Sequence, residues 1–238
     1  MIVDMHCHVV WGVDDGAQTE EDARAMVRLA AENKVRHIVC TSHITPGEAP
    51  FPLERYEDHL NRLQATIREE NLDITLHPGS EILYTDQAAR MLHEGKIPRL
   101  NDRRVVLTEF WYDVPEDTMR QAARLLGNEG VTVIFAHVER YKASRNIAFL
   151  EEMRDEFGVL MQMNARTIFE KQGFLTDRWK RKLLEGDLID MVASDAHNVS
   201  SRPCNVLRAW EWLRDKFGEE TADRLCGGAA AELLALES

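Results

Sequence analysis

The residues of this chain that could do chemistry fall in short clusters of histidine and carboxylate. His6-Cys7-His8 lies near the N-terminus, Asp15 follows, and Thr41-Ser42-His43 comes next. Further along are Glu81, Glu109, His137 and the segment Ser194-Asp195-Ala196-His197. Imidazole nitrogen combined with carboxylate oxygen suits Mn, Fe or Zn and differs from the thiolate-rich sets of structural zinc. Each cluster alone has an ordinary reading. Histidines at i and i+2 of a strand point the same way and can share a cation, yet two exposed histidines on one face are commoner. Asp195-x-His197 is read with the same strand geometry, and Glu81 or Glu109 taken singly fits a cap or an ion pair. Together they point to metal, because several carboxylates buried without cations would be very costly. Carboxylates that can bridge imply more than one ion, as in hydrolases that activate water between two metals.

Two arginines lie close by. Arg140 follows His137 by three residues and Arg202 follows His197 by five. Guanidinium forks beside a metal cluster suit a transferring phosphoryl group, although either arginine alone would be an ordinary surface residue. Cys7 should point away from its two histidine neighbours and serve as packing. His37, His59, His77 and His93 are read as surface or packing histidines.

These residues need elements that bring them together. Short apolar runs at 2–5, 37–41, 73–76, 105–108, 131–136, 159–163 and 190–193 read as parallel strands buried on both faces. Helical patterns lie between them. Thr19 and Asp22 form a capping box ahead of Ala23, Met26, Val27, Ala30 and Ala31. Leu53, Tyr56, Leu60, Leu63 and Ile67 repeat at the same spacing, as do 119–126, 147–157 and 206–217, the last ending at Gly218. The Gly-Gly-Ala-Ala-Ala patch at Gly227 is expected to join two terminal helices. The candidate ligands sit at the C-terminal ends of nearly all the strands, which in a parallel barrel share one rim. The prediction is one α/β domain over 1–238.

Composition narrows the function. With 238 residues, the chain buries roughly 70% of its unfolded surface and needs no disulfide staples. Lys plus Arg number 29 and Asp plus Glu 41, a net charge of −12. That balance argues against nucleic acid or an anionic membrane as the main partner. No apolar run is long enough to span a bilayer, and no secretory leader is expected. Four cysteines without a CxxC pair fit a reducing compartment, so a cytoplasmic location is expected.

The ordered set His6-Cys7-His8, Gly12-Val13-Asp14-Asp15-Gly16, Thr41-Ser42-His43, Gly79-Ser80-Glu81-Ile82, Glu109-Phe110, His137-Val138-Glu139-Arg140-Tyr141 and Ser194-Asp195-Ala196-His197-Asn198 resembles the polymerase-and-histidinol-phosphatase (PHP) superfamily. Within it the chain is most similar to bacterial metal-dependent protein-tyrosine phosphatases linked to capsule and exopolysaccharide synthesis. The resemblance runs from the N-terminus to about Arg202-Pro203. It implies a distorted, TIM-like (β/α)7 barrel with the PHP fold and two to three divalent ions, Mn first, with Fe, Zn or Co as alternatives. Carried over, His6, His8, Glu81 and Asp195 would hold one ion. Glu81 would bridge to a second held by Glu109 and His137, and Asp15, His43 and His197 would hold a third. Arg140 and Arg202 would bind phosphate, with His197 or Asp15 available for proton transfer. Ile44 after His43, Val138 for a usual proline and Trp111 after Glu109-Phe110 depart from the pattern. Ile44 and Trp111 are expected at the mouth, and the chain beyond Arg202 matches poorly.

The expected reaction is direct hydrolysis of phosphotyrosine by metal-activated water, without a covalent intermediate. A phenolate with a pKa of ~10 leaves readily, so little help is needed from a general acid. No Cys-x5-Arg loop is present, which excludes cysteine-dependent phosphatase chemistry. The expected substrate is a phosphotyrosine protein such as a bacterial tyrosine-kinase tail. Competing readings are a phosphatase of a small phosphoester such as histidinol phosphate, an amidohydrolase, a superfamily nuclease and a non-catalytic metal-binding partner of a kinase. The amidohydrolase lacks its bridging lysine at any strand end, and the nuclease lacks a basic track.

Overall fold

All seven predicted strands form. The computed structural model describes residues 1–236, so the last two residues of the predicted domain lie outside the described residues. β1 (Ile2–Cys7), β2 (Val35–Ile44), β3 (Thr75–Leu83), β4 (Val105–Glu109), β5 (Thr132–Phe135), β6 (Leu160–Asn164) and β7 (Met191–Ala193) lie parallel, in sequence order. β3 is the largest extension of its apolar run and carries Glu81 inside the strand. The sheet then curls until β1 meets the chain just beyond β7. Cys7 bridges to Ala196, His8 N–H donates to the Ala196 carbonyl at 2.8 Å, and Asp195 N–H donates to the His6 carbonyl at 2.8 Å. The result is a distorted (β/α)7 barrel whose closing segment carries two candidate ligands.

The helices pack on the outside. α1 (Glu20–Glu32) starts at the predicted capping box, with Thr19 Oγ1 accepting from Asp22 N–H and the Asp22 carboxylate accepting from Thr19 N–H. α2 (Leu53–Glu69), α4 (Glu116–Asn128), α5 (Ile147–Phe157) and α8 (Val206–Phe217) also follow the predicted patterns. Three helices had no predicted counterpart: α3 (Ala88–His93), α6 (Ala165–Phe169) and α7 (Phe174–Glu185). The first two are too short to show a period. In α7 only Trp179, Lys180 and Leu183 are buried, too few to mark an apolar stripe.

The Gly227 patch corrects an expectation. α9 (Glu219–Asp223) and α10 (Ala229–Leu234) are not separated by a turn, because Arg224–Gly228 winds between them as a π-helical stretch with helical backbone at both ends. Gly227 is needed for closeness, since a Cβ there would lie 2.0 Å from the Met1 carbonyl oxygen.

Two apolar layers fix the strands. Val3, Met5, Val39, Leu107, Ile134 and Met191 fill the barrel interior, joined by Leu100, Ala230 and Leu234. Ile38, Val106 and Val133 belong to an outer layer with Met26, Leu63 and Met119 of the helices. β1 changes phase on its way to the rim. Between Asp4, opposite Ile38, and Cys7, opposite Cys40, it spends three steps against two on β2, which is a β-bulge. Met5 therefore packs in the interior layer, His6 and His8 reach the site, and Cys7 falls in the outer core as predicted.

Candidate metal centre and its arginines

The rim gathers eight of the nine predicted ligands into three overlapping clusters, and the ninth, His137, borders two of their carboxylates. In the first, His6 Nε2 and His8 Nε2 lie 3.1 Å apart, and Glu81 Oε2 is 3.0 and 3.2 Å from them. Asp195 Oδ1 completes this quartet at 3.5 Å from both rings. The second cluster contains Asp15, His43 and His197, and His8 joins it. Asp15 Oδ1 stands 3.4 Å from His43 Nε2 and 3.3 Å from His197 Nε2. The third brings His43 Nδ1 to 3.2 Å from Glu81 Oε2 and 2.9 Å from Glu109 Oε1. His137 meets the same carboxylates from another side, its Nε2 lying 2.9 Å from Glu81 Oε1 and 3.6 Å from Glu109 Oε2. His8 and His43 thus face two clusters each, a sharing that the resemblance did not imply.

Strand register explains part of this convergence. His43 of β2 is directly paired with Glu81 of β3, and Leu83 of β3 with Glu109 of β4. Two further ligand segments are strained turns. His137 (φ 31°) and Asp195 (φ 55°) adopt left-handed backbone that non-glycine residues rarely take, a common feature of functional sites. This corrects the reading of Asp195-x-His197 as strand: β7 ends at Ala193, and the turn sends Asp195 to the first cluster and His197 to the second.

The donor set fits divalent cations. Metal–ligand bonds of about 2.1 Å place neighbouring donors about 3.0–3.4 Å apart in tetrahedral or octahedral geometry. The first quartet spans 3.0–3.5 Å. Glu81 Oε2, Asp195 Oδ1 and His197 Nε2 are buried atoms with no hydrogen-bond partner. Orphaned acceptors of this kind are costly unless something positive meets them.

Several residues that the sequence did not single out hold these ligands. His8 Nδ1–H donates to Asp14 Oδ2 at 2.9 Å, while Asp14 also accepts from the backbone N–H groups of Gly16 and His43. Burial opposes charge on both partners, but their contact prevails and holds Asp14 at about 2 and, with Glu81, His8 at about 9. His43 also stands at about 9, because Glu109 and Glu81 outweigh its burial. Burial and the neighbouring charge of His8 push His197 down to about 4. Gln162 Oε1 accepts from His6 Nδ1–H at 3.2 Å and from His137 N–H at 2.7 Å, and Asn164 Nδ2–H donates to Asp195 Oδ2 at 2.9 Å. Tyr141 OH meets His137 Nδ1 at 3.2 Å. The only sequence signal for the β6 pair was Gln162-x-Asn164, the same i, i+2 spacing as His6-x-His8. Asp14 was hidden by its neighbour Asp15.

The Asp14 contact predicts a measurable effect. A carboxylate behind a ligating imidazole fixes its tautomer and raises its basicity, so Asp14→Asn should weaken divalent-cation affinity about 10–100-fold. Isothermal titration of the stripped protein checks this, and unchanged affinity would remove Asp14 from the support of the centre.

Both predicted arginines converge on Asp195. Arg140 Nη2–H donates to Asp195 Oδ2 at 2.5 Å and Arg202 Nη2–H at 2.8 Å, while Oδ1 of the same carboxylate faces the first cluster. Elsewhere on the rim one expectation is corrected. Ile44 is buried in the core and does not line the mouth, whereas Trp111 is 71% exposed. His37 and His77 hydrogen-bond to each other, His59 stacks on Trp11 at 4.0 Å, and His93 contacts Glu129, as expected of packing and surface histidines.

Comparison with known proteins adds independent findings. A sequence profile described as capsular polysaccharide synthesis, CpsB/CapC, matches residues 2–235. The tyrosine-protein phosphatase CpsB of Streptococcus pneumoniae is 31% identical over 230 residues, 94% of each chain. The tyrosine-protein phosphatase YwqE of Bacillus subtilis is 31% identical over 92% of this chain and 86% of its own length. A crystal structure from work on YwqE and CpsB, described as metal-dependent tyrosine phosphatases, superposes with a TM-score of 0.87 at 28% identity, covering 100% of this chain and 96% of that one.

Proposed function

Because the chain belongs to the CpsB/CapC family of capsular polysaccharide synthesis, we propose that its histidine–carboxylate rim hydrolyses phosphotyrosine in protein substrates with divalent cations. It is a metal-dependent tyrosine phosphatase, as its relatives and its structural neighbour are described. The observation that carries this reading is Asp195, whose Oδ1 faces the metal cluster while Oδ2 holds Arg140 and Arg202.

In this reading His6, His8, Glu81 and Asp195 would hold one cation, and Glu81, Glu109 and His137 a second. Asp15, His43 and His197 would hold a third, with Mn the preferred ion and Fe, Zn or Co as alternatives. When bound, the cations lower the pKa of a water molecule and neutralise charge on the phosphoryl oxygens. Asp195 aims two guanidiniums at the place where those oxygens sit, so Arg140 and Arg202 orient the phosphoryl group and stabilise its developing charge. Asp14, Gln162 and Tyr141 keep the histidine rings in register while the reaction proceeds. The phenolate departs without a dedicated acid: His197 is buried and held down to about 4, which leaves the exposed Asp15 as the proposed proton-transfer group. The substrate is a phosphotyrosine protein, with a bacterial tyrosine-kinase tail as the proposed partner. The domain spans 1–238 and works in the cytoplasm; among the described residues no helix is long and apolar enough to cross a membrane.

An aryl-against-alkyl comparison tests the substrate class. Phosphotyrosine peptide should exceed an alkyl phosphate such as histidinol phosphate in kcat/KM by about two orders of magnitude, since an alkoxide is a far poorer leaving group than a phenolate. Equal or reversed ratios would move the assignment to a small-molecule phosphoester.

A further inference from the structure

A third arginine shares the wall of the cavity beside the cluster. The cavity holds about 230 Å³ and is bordered by Arg140, Arg166 and Arg202 together with Asn164 and Asp195. Arg166 lies in α6, immediately after β6, and nothing in the site described above uses it. Its Nε–H donates to Glu170 Oε1 at 2.7 Å and its Nη1–H to the Ser201 carbonyl at 3.2 Å. Neither contact uses Nη2, and the side chain is 54% exposed. The turn it leans on is itself pinned, because Asn198 Oδ1 accepts from the backbone N–H groups of Ser200, Ser201 and Arg202. Arg166 is therefore a preorganised cation that loses little side-chain freedom on meeting an anion.

Charge balance says what it would meet. Asp195 is the counter-ion of Arg140 and Arg202, and those two arginines with the cations already match a phosphomonoester dianion. Arg166 is itself bridged to Glu170 through Nε, so three guanidiniums stand against the carboxylates of Asp195 and Glu170 beside this small space, in a chain whose net charge is −12. A cationic spot on an acidic protein attracts and selects anions locally, where the overall field would repel them. The volume is below the ~300 Å³ of ordinary ligand pockets, which suits a small anionic group at its wall.

We propose that Arg166 forms a second anion subsite that reads a negatively charged group flanking the phosphotyrosine, making an acidic phosphopeptide the preferred substrate. The inference rests on the phosphotyrosine reading above. The flanking anion is a carboxylate or a second phosphate, both of which a guanidinium fork accepts.

The test uses the metal-loaded full chain and four peptides identical except beside the phosphotyrosine, where they carry Glu, a second phosphotyrosine, Gln or Lys. p-Nitrophenyl phosphate serves as a substrate without a flank. Wild type should favour the Glu or doubly phosphorylated peptide over the Gln peptide about tenfold in kcat/KM, mainly through KM. Whichever anionic arm is faster identifies the source. Arg166→Ala should erase that preference while changing the Gln peptide and p-nitrophenyl phosphate by less than about twofold. Arg166→Glu should turn the preference toward the Lys peptide, and Arg166→Lys should keep part of the original one. Melting curves establish folding; if the alanine variant does not fold, the Lys and Glu variants decide. A wild type indifferent to the flank, or a variant that loses equally on every substrate, overturns the subsite and leaves the phosphatase reading intact. Failure of the wild type to hydrolyse any phosphotyrosine peptide overturns both.

Discussion

Stripping the divalent cations is expected to abolish phosphotyrosine turnover and to lower the melting temperature by about 5–10 °C, with both restored on adding a cation back. The magnitude follows from linkage: an ion at a hundred times its Kd adds about 2.7 kcal/mol, and each kcal/mol moves a chain of this size by about 2–4 °C. The cause is the convergence of Asp15, Glu81, Glu109 and Asp195 on the same histidines. Without cations these carboxylates depend on protons and arginines for compensation. His8 and His43 supply two such protons, because their carboxylate partners raise them from 6.5 to about 9. That compensation is fully present below pH 6.5 and fades as pH rises through about 9. The same protons compete with metal at low pH. The gap between loaded and stripped melting temperatures should therefore widen from pH 6.5 to about 9. Adding Mn, Fe, Zn, Co or Mg separately ranks the cofactors. An unchanged melting curve after verified metal removal would count against a buried metal cluster.

Asp195→Asn should lower kcat/KM by about a thousandfold or more, and Arg140→Ala by about a hundredfold. The two losses differ in kind. Asparagine at 195 gives up a charged ligand of the first cluster and at once deprives Arg140 and Arg202 of their counter-ion. Bound metal, measured by elemental analysis, should therefore fall with activity. Alanine at 140 removes one guanidinium from the phosphoryl site and touches no proposed ligand other than Asp195, so metal content should stay near wild type. Full turnover in Arg140→Ala would exclude the arginine from phosphoryl binding. Unchanged metal content in Asp195→Asn would break the link between cluster and arginines on which the proposed mechanism depends.

Much of this protein is determined locally and was legible for that reason. Apolar runs buried on both faces mark parallel strands, so all seven were found, and the Thr19–Asp22 box marked the start of α1 through bonds made within four residues. The candidate ligands were legible because strand ends of a parallel barrel share one rim, which turns scattered histidines and carboxylates into one place. What tertiary structure decided are the matters that depend on contacts between distant segments. A single extra residue in β1 re-aims His6 and His8, and no pattern in Ile2–Cys7 announces it, because the bulge exists only against β2. Asp195 reads as strand in sequence but turns left-handed, since closure of the barrel against His6 holds it there. Asp14 could be told from Asp15 only by seeing which carboxylate lies behind His8 and which faces His43 and His197. Gly227 is a linker by composition and part of a continuous helical run in space, because the Met1 carbonyl occupies the place of a side chain. Chemistry follows residue type, which the sequence states outright; the sharing of ligands and the aim of Arg140, Arg166 and Arg202 follow distances across the barrel mouth, which only the folded chain sets.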